Sequence, residues 1–248
     1  MKPGNSIFNY PSVKSVVICG DVHGDIKTLA HDVCVLHKMT DTLVIVAGDC
    51  GLGFAPFHKY FNKQQSRIIE QLSKHRCFFA FVRGNHDKPS AFDGDIVFPA
   101  WLAVPDYSVI TACGHQILCV GGAISVDRST RIEGIDYWKD EQPVFDSIAL
   151  RKIKESCSID TVVTHCAPSM CERTTLPDWV LRYQEQDHNL LYALKAERMI
   201  MDDLLLRLRK DKHPVRQWFY GHYHDSWQAN IEGIDYTMLN IMELKELR

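Results

Sequence analysis

A chain of 248 residues, 46% hydrophobic and 24% charged, has ordinary globular composition and is long enough to bury a substantial core. A net charge of −3 and the lack of any basic tract give no strong nucleic-acid signal and argue against processive nucleic-acid binding. Residues 1–14 hold no apolar signal segment, and no stretch approaches the roughly 20 apolar residues of a membrane span, so a cytoplasmic protein with no membrane partner is expected.

Residues 15–19 form a β-branched apolar run and predict a buried strand, followed by the loop Gly20-Asp21-Val22-His23-Gly24. Asp25 is placed to cap a helix whose apolar positions are Ile26, Leu29, Ala30 and Val33. A second strand, 42–47, ends in Gly48-Asp49-Cys50-Gly51, and a helix is expected over 56–73. A third strand, 77–82, runs into Arg83-Gly84-Asn85-His86-Asp87. This alternation of strand, polar loop and helix predicts an α/β fold with ligands held beyond the carboxyl ends of the strands.

Two strands, 107–112 and 115–121, flank Cys113-Gly114, and a helix is expected over 144–156. A strand over 160–164 ends at His165, and a long helix is expected over 187–210. Strand 216–220 then leads into Gly221-His222-Tyr223-His224. Two last strands, 226–231 and 236–241, meet at a turn over 232–235. No repeat or linker interrupts the chain, so residues 1–248 read as one domain. Nine cysteines, an odd number without a C-x-x-C pair, argue against a disulfide scaffold or a thiolate zinc site.

Five polar clusters therefore stand at five strand ends: Asp21/His23, Asp49, Asn85/His86/Asp87, His165 and His222/His224. Taken singly, a strand-end histidine reads as a structural residue and a Gly-Asp as a turn. Together they offer carboxylate, imidazole and amide oxygen, a donor set suited to Mn, Fe and Zn. In extended backbone, residues i and i+2 face the same side, so Asp21 with His23, and His222 with His224, can point to one site.

The ordered series Asp21-Val22-His23, Gly48-Asp49, Gly84-Asn85-His86-Asp87, His165 and Gly221-His222-Tyr223-His224 resembles the signature of the calcineurin-like metallophosphoesterases. The resemblance implies a four-layer β-sandwich flanked by helices. It implies a phosphate-ester substrate and two divalent ions, Mn foremost, with Fe, Zn, Co or Ni as alternatives. Asp21, His23, Asp49 and His224 would hold one ion and Asp49, Asn85, His165 and His222 the other. A metal-bridging hydroxide would attack a phosphate mono- or diester, with His86 as general acid oriented by Asp87.

The sequence departs from the family pattern after Asp49, where Cys50-Gly51-Leu52-Gly53 carries no acid. The arginine that the Ser/Thr protein phosphatases place after this Asp is also missing, although Arg83 resembles that branch and is a candidate phosphate contact. Residues 121–131 resemble a segment of some bacterial and phage members. Either Arg128 or Arg131 contacts phosphate there, or the loop pairs Asp127 with an arginine at the surface. Residues 166–190, with Trp179 and Tyr183, read as a cap beside the site or as a packing segment. Residues 138–141 read as a wall of the same cleft or, preferred, as a solvated turn. A Ser/Thr-type phosphatase and a non-catalytic scaffold of the same fold remain as alternatives.

Overall fold

The structure, a computed structural model, describes residues 6–94, 97–172 and 177–248, apart from the side chains of 55–64, 97 and 98. Part of the expected cap, 173–176, lies outside the described residues. In chain order the strands are β1 (Ile7–Asn9), β2 (Ser15–Cys19), β3 (Thr42–Val46), β4 (Phe78–Phe81), β5 (Val97–Phe98), β6 (Trp101–Ala103) and β7 (Ser108–Ala112). They continue with β8 (His115–Val120), β9 (Thr161–Thr164), β10 (Gln217–Tyr220), β11 (Trp227–Ile231), β12 (Ile234–Met238) and β13 (Leu244–Glu246). The helices are α1 (Ile26–His31), α2 (Ala55–His75), α3 (Ser147–Ser156), α4 (Asp178–Tyr183) and α5 (Leu190–Lys210).

The strands form two mixed sheets, ordered β13-β2-β3-β4-β6-β5 and β1-β7-β8-β9-β10-β12-β11. Strand alternation decides which side chain enters which layer. Val16, Ile18, Leu43, Ile45, Ala80 and Leu102 of the first sheet meet Ile110, Ile117, Cys119, Val163 and Phe219 of the second in one buried cluster. The intervening residues Val17, Val44, Val46, Phe79 and Phe81 face outward and bury the first helical layer, with Leu29, Val33 and Leu72. On the other side Leu118, Val162, Trp218 and Tyr236 cover Leu150, Ile153, Met201, Leu204 and Leu208 of α3 and α5. The result is the expected α/β sandwich of two sheets flanked by helices. Its continuous apolar strands are those of sheets covered on both faces.

Several boundaries differ for local reasons. The first helix passes directly into a π-helical turn over Asp32–Leu36 that still buries Val33 and Cys34. The last hairpin turns on two residues, Glu232 (φ 50°) and Gly233 (φ 82°), with Ile231 paired to Ile234. Positive φ at both positions is the tight turn that matches strand twist. It puts Ile234, Tyr236 and Met238 together on the core face. Strands β1, β5, β6 and β13 went unanticipated, being two or three residues long and too short to display a period. All nine cysteines are free, seven of them buried.

Helix α5 buries one acid, Glu197, whose Oε2 accepts from the Ile124 N–H at 2.6 Å. Burial pushes its carboxyl up to about 8, against the partly compensating Ile124 N–H and Arg198. Below its ordinary value of 4.5 the acid is neutral in both folded and unfolded chains. As pH rises, the unfolded chain releases the proton first, so the native state loses stability between that value and about 8. The full penalty is on the order of 5 kcal/mol. Glu197→Gln keeps an acceptor for Ile124 and is expected to flatten the fall in urea midpoint between pH 5 and pH 8. An unchanged pH slope would refute this.

Candidate metal centre and active site

Five parallel strands deliver the site from their carboxyl ends: β2, β3 and β4 from one sheet, β9 and β10 from the other. Asp21 and Asp49 are buried, 0% and 1% exposed, and among the described residues their ionic partners are histidines. Ligand atoms of Asp21, His23, Asp49 and His224 all lie within 4.8 Å of one another. His23 Nε2 and His224 Nε2 stand 2.9 Å apart. Asp21 Oδ1 accepts from the His222 N–H at 2.9 Å, whereas the buried Oδ2 lacks a well-formed hydrogen bond and faces His224 Nε2 at 3.0 Å. Two buried carboxylates with an orphaned oxygen and converging imidazoles are costly unless a cation joins them, so the residues fit a divalent ion.

A second group adjoins through Asp49. His165 Nε2 lies 3.3 Å from Asp49 Oδ1 and 3.1 Å from Asn85 Oδ1, and its ring is 4.9 Å from that of His222. His165 Nδ1 meets the Ala47 carbonyl at 2.7 Å, which places a proton on Nδ1 and leaves Nε2 for the site. Burial opposes a charge on His165, but Asp49 and Asp21 outweigh it and raise its pKa to about 10. The cluster thus draws positive charge onto the nearest base. Asn85 Nδ2 donates to Ser125 Oγ at 3.1 Å, and Ser125 donates in turn to Glu141 at 2.7 Å, so the amide oxygen is turned towards His165.

The backbone at His23, His222 and His224 is not extended, contrary to expectation. His23 (φ 48°), Asp49 (φ 52°), His222 (φ 71°) and His224 (φ 51°) are all left-handed, a strained state for residues with a Cβ that gathers at functional sites. His224 accordingly joins Asp21 and His23, while His222 turns to His165.

The Asp87 carboxylate is not directed at His86, as the resemblance implied. It accepts from the backbone N–H groups of Cys50, Gly51, Leu52 and Gly84, and from the Cys50 thiol at 3.1 Å. It ties the loops after β3 and β4 together. His86 stacks on Phe54, with ring centroids 5.0 Å apart, and its Nε2 lies 2.8 Å from Arg131 Nη2. Arginine has no acceptor, so Nε2 must accept and the ring is neutral. Burial, reinforced by Arg131, lowers the His86 pKa against the pull of Asp49.

Of the candidate arginines, Arg83 is corrected. It is buried, donates to the Glu141 carbonyl at 2.5 Å and pairs with Asp106 at 3.0 Å, so it braces loops. The feature that resembled the Ser/Thr phosphatases is therefore spent inside the fold. Arg128 is committed to Asp187 at 2.6 Å. Arg131 pairs with Asp127 at 2.7 Å, is largely buried rather than at the surface, and lines the cavity beside His86. The expected solvated turn over 138–141 is also corrected, because Trp138 and Glu141 are buried. Sequence reasoning missed Ser125, Glu141 and Phe54; no spacing links Ser125 to Asn85, 40 residues away.

A cavity of about 260 Å³ opens on these residues. Asp49, Asn85, His86, His222 and His224 contribute to its lining, as do Pro177, Trp179, Val180 and Tyr183 of the expected cap.

A two-sheet α/β sandwich with a carboxylate–imidazole cluster at its strand ends defines a class of metal-site proteins. The description calcineurin-like phosphoesterase matches residues 14–226, and the chain belongs to that family. Among solved structures it is similar to a dimetal phosphatase from Danio rerio. That match has 10% identity and a TM-score of 0.52, covering 94% of this chain and 88% of that one. It is also similar to the calcineurin-like phosphoesterase YfkN from Bacillus subtilis, with 16% identity, a TM-score of 0.48 and coverage of 92% and 81%. The first of these likenesses speaks to the fold alone. No curated protein matches the chain. Among the described residues, no helix is long and apolar enough to cross a membrane.

Proposed function

We propose that this protein is a metal-dependent phosphoesterase acting on phosphate mono- or diesters, with two divalent ions, manganese foremost. The observation that carries the reading is the convergence of Asp21, His23, Asp49 and His224 within 4.8 Å, with Asp49 and His224 opening onto a cavity. These four residues would hold one ion. Asp49, Asn85, His165 and His222 would hold the other, with Asp49 shared. When bound, such a pair supplies Lewis acidity towards phosphate oxygens and lowers the pKa of water to give a nucleophile near neutral pH.

The chain's own groups do the rest. Arg131 offers a fork of donors matched to phosphate oxygens. An arriving phosphate draws the guanidinium off His86 Nε2, and its negative charge favours the protonated imidazole. His86 then stands in the cavity to protonate a departing alkoxide. Asp87 keeps the His86 loop docked against residues 50–52, and Pro177–Tyr183 forms part of a cap that walls the site.

Chelator-stripped protein is expected to lose hydrolysis of p-nitrophenyl phosphate and to regain it with added Mn²⁺. Folded, metal-loaded protein that turns over neither this ester nor bis-p-nitrophenyl phosphate would put the non-catalytic scaffold in its place.

A further inference from the structure

The cavity has a second character that the metal cluster and Arg131 leave unexplained. Val126, Val180, Tyr183 and Leu194 all contribute to its lining, and the four belong to one contiguous apolar cluster supported by Ile124 and Leu190. Trp179 adds an indole that remains 53% exposed. Among the described residues Trp179 belongs to none of the buried clusters, and a half-exposed tryptophan at a cavity wall is a stacking surface. Among the described residues Arg131 is the one arginine or lysine in the lining, and Asp127 already pairs with it. A polyanionic chain needs several such contacts, so nucleic acid is a poor fit. A cavity of about 260 Å³ lies at the small end of ligand sites, which suits a compact molecule rather than a protein surface.

We propose that the substrate of this site is a small phosphomonoester whose leaving group carries an aromatic ring, seated on Trp179 and the Val126–Val180–Leu194 surface. The inference rests on the phosphoesterase reading for the phosphate end and on the apolar wall for the other. The ring side contributes ground-state binding, so its effect falls on affinity and KM rather than on the chemical step.

The test separates the two halves with non-hydrolysable probes. Benzylphosphonate and methylphosphonate present the same anionic group and differ by the ring alone. Calorimetric titration of the manganese-loaded protein is expected to give benzylphosphonate at least a ten-fold tighter Kd. Trp179→Ala, at an exposed position that packing does not depend on, is expected to bring that ratio down to two-fold or less. A wild-type ratio near one overturns the inference. So does a ratio that survives both Trp179→Ala and the Trp179→Ala/Val126→Asn double variant. Hydrolysis of p-nitrophenyl phosphate is followed in the same preparations. Turnover with a ratio near one fails the subsite alone, whereas a ten-fold ratio without turnover supports the subsite and fails the phosphoesterase reading.

Discussion

Asp49→Asn is expected to empty both halves of the metal centre and to lower kcat by about 10³-fold or more, the scale of several kcal/mol of lost charge stabilisation. The Asp49 carboxylate faces a histidine of each group. Its Oδ1 lies 3.3 Å from His165 Nε2, and its Oδ2 lies 4.0 Å from His23 Nδ1. Burial raises the cost of its charge, and His165, by its charge and its hydrogen bond, more than offsets that, holding the carboxyl well below its ordinary range. An amide keeps the shape and still accepts the His86 N–H, which Asp49 Oδ1 takes at 2.7 Å. The fold is therefore expected to survive while the negative charge is lost. Elemental analysis after gel filtration, beside kcat on p-nitrophenyl phosphate, checks this. Two ions per chain in the variant would refute a shared Asp49.

The parts of this architecture that were legible in the sequence are those governed by short-range periodicity. Strand β3, all buried, and the alternating layers of β2 and β4 follow from runs of Val, Ile, Leu and Phe. The five polar clusters were legible because each follows such a run directly. What was not legible depends on partners far apart in the chain. Arg83 looks like a phosphate contact until Asp106 and the Glu141 carbonyl are seen to hold it, 23 and 58 residues away. Asp87 looks like a partner of its neighbour His86, but the N–H groups of residues 50–52 capture it first. Glu141 reads as a surface acid, although burial lifts its carboxyl to about 7 and Ser125 needs it as an acceptor. The left-handed backbone of His23, Asp49, His222 and His224 is invisible to any rule of alternation, because tertiary contacts impose it against local preference.

Gly84→Ala is expected to be as damaging as loss of a ligand, though it removes no functional group. A Cβ at position 84 would fall 2.0 Å from Asp49 Oδ1 and 2.2 Å from the Asp49 backbone nitrogen. The second contact is decisive, because a side chain can rotate away but a buried peptide cannot. Gly84 is also held from its other side, since its N–H donates to Asp87 Oδ2 at 2.7 Å. Relief therefore requires the loops after β3 and β4 to part. That motion would carry Asp49 away from Asn85 and strip the Asp87 carboxylate of part of its N–H cradle. Overpacking of this kind costs about 3 kcal/mol where the neighbours cannot yield. A fall of that size in unfolding free energy, with both ions lost, is the expected result. Gly114→Ala is the control: its Cβ meets nothing within 4 Å, and the residue stands in the β7–β8 turn at φ +84°. It isolates the backbone cost of about 1 kcal/mol and should leave metal content unchanged. If the two variants were equally stable and equally metal-loaded, the close approach of Gly84 to Asp49 would not be what shapes this centre.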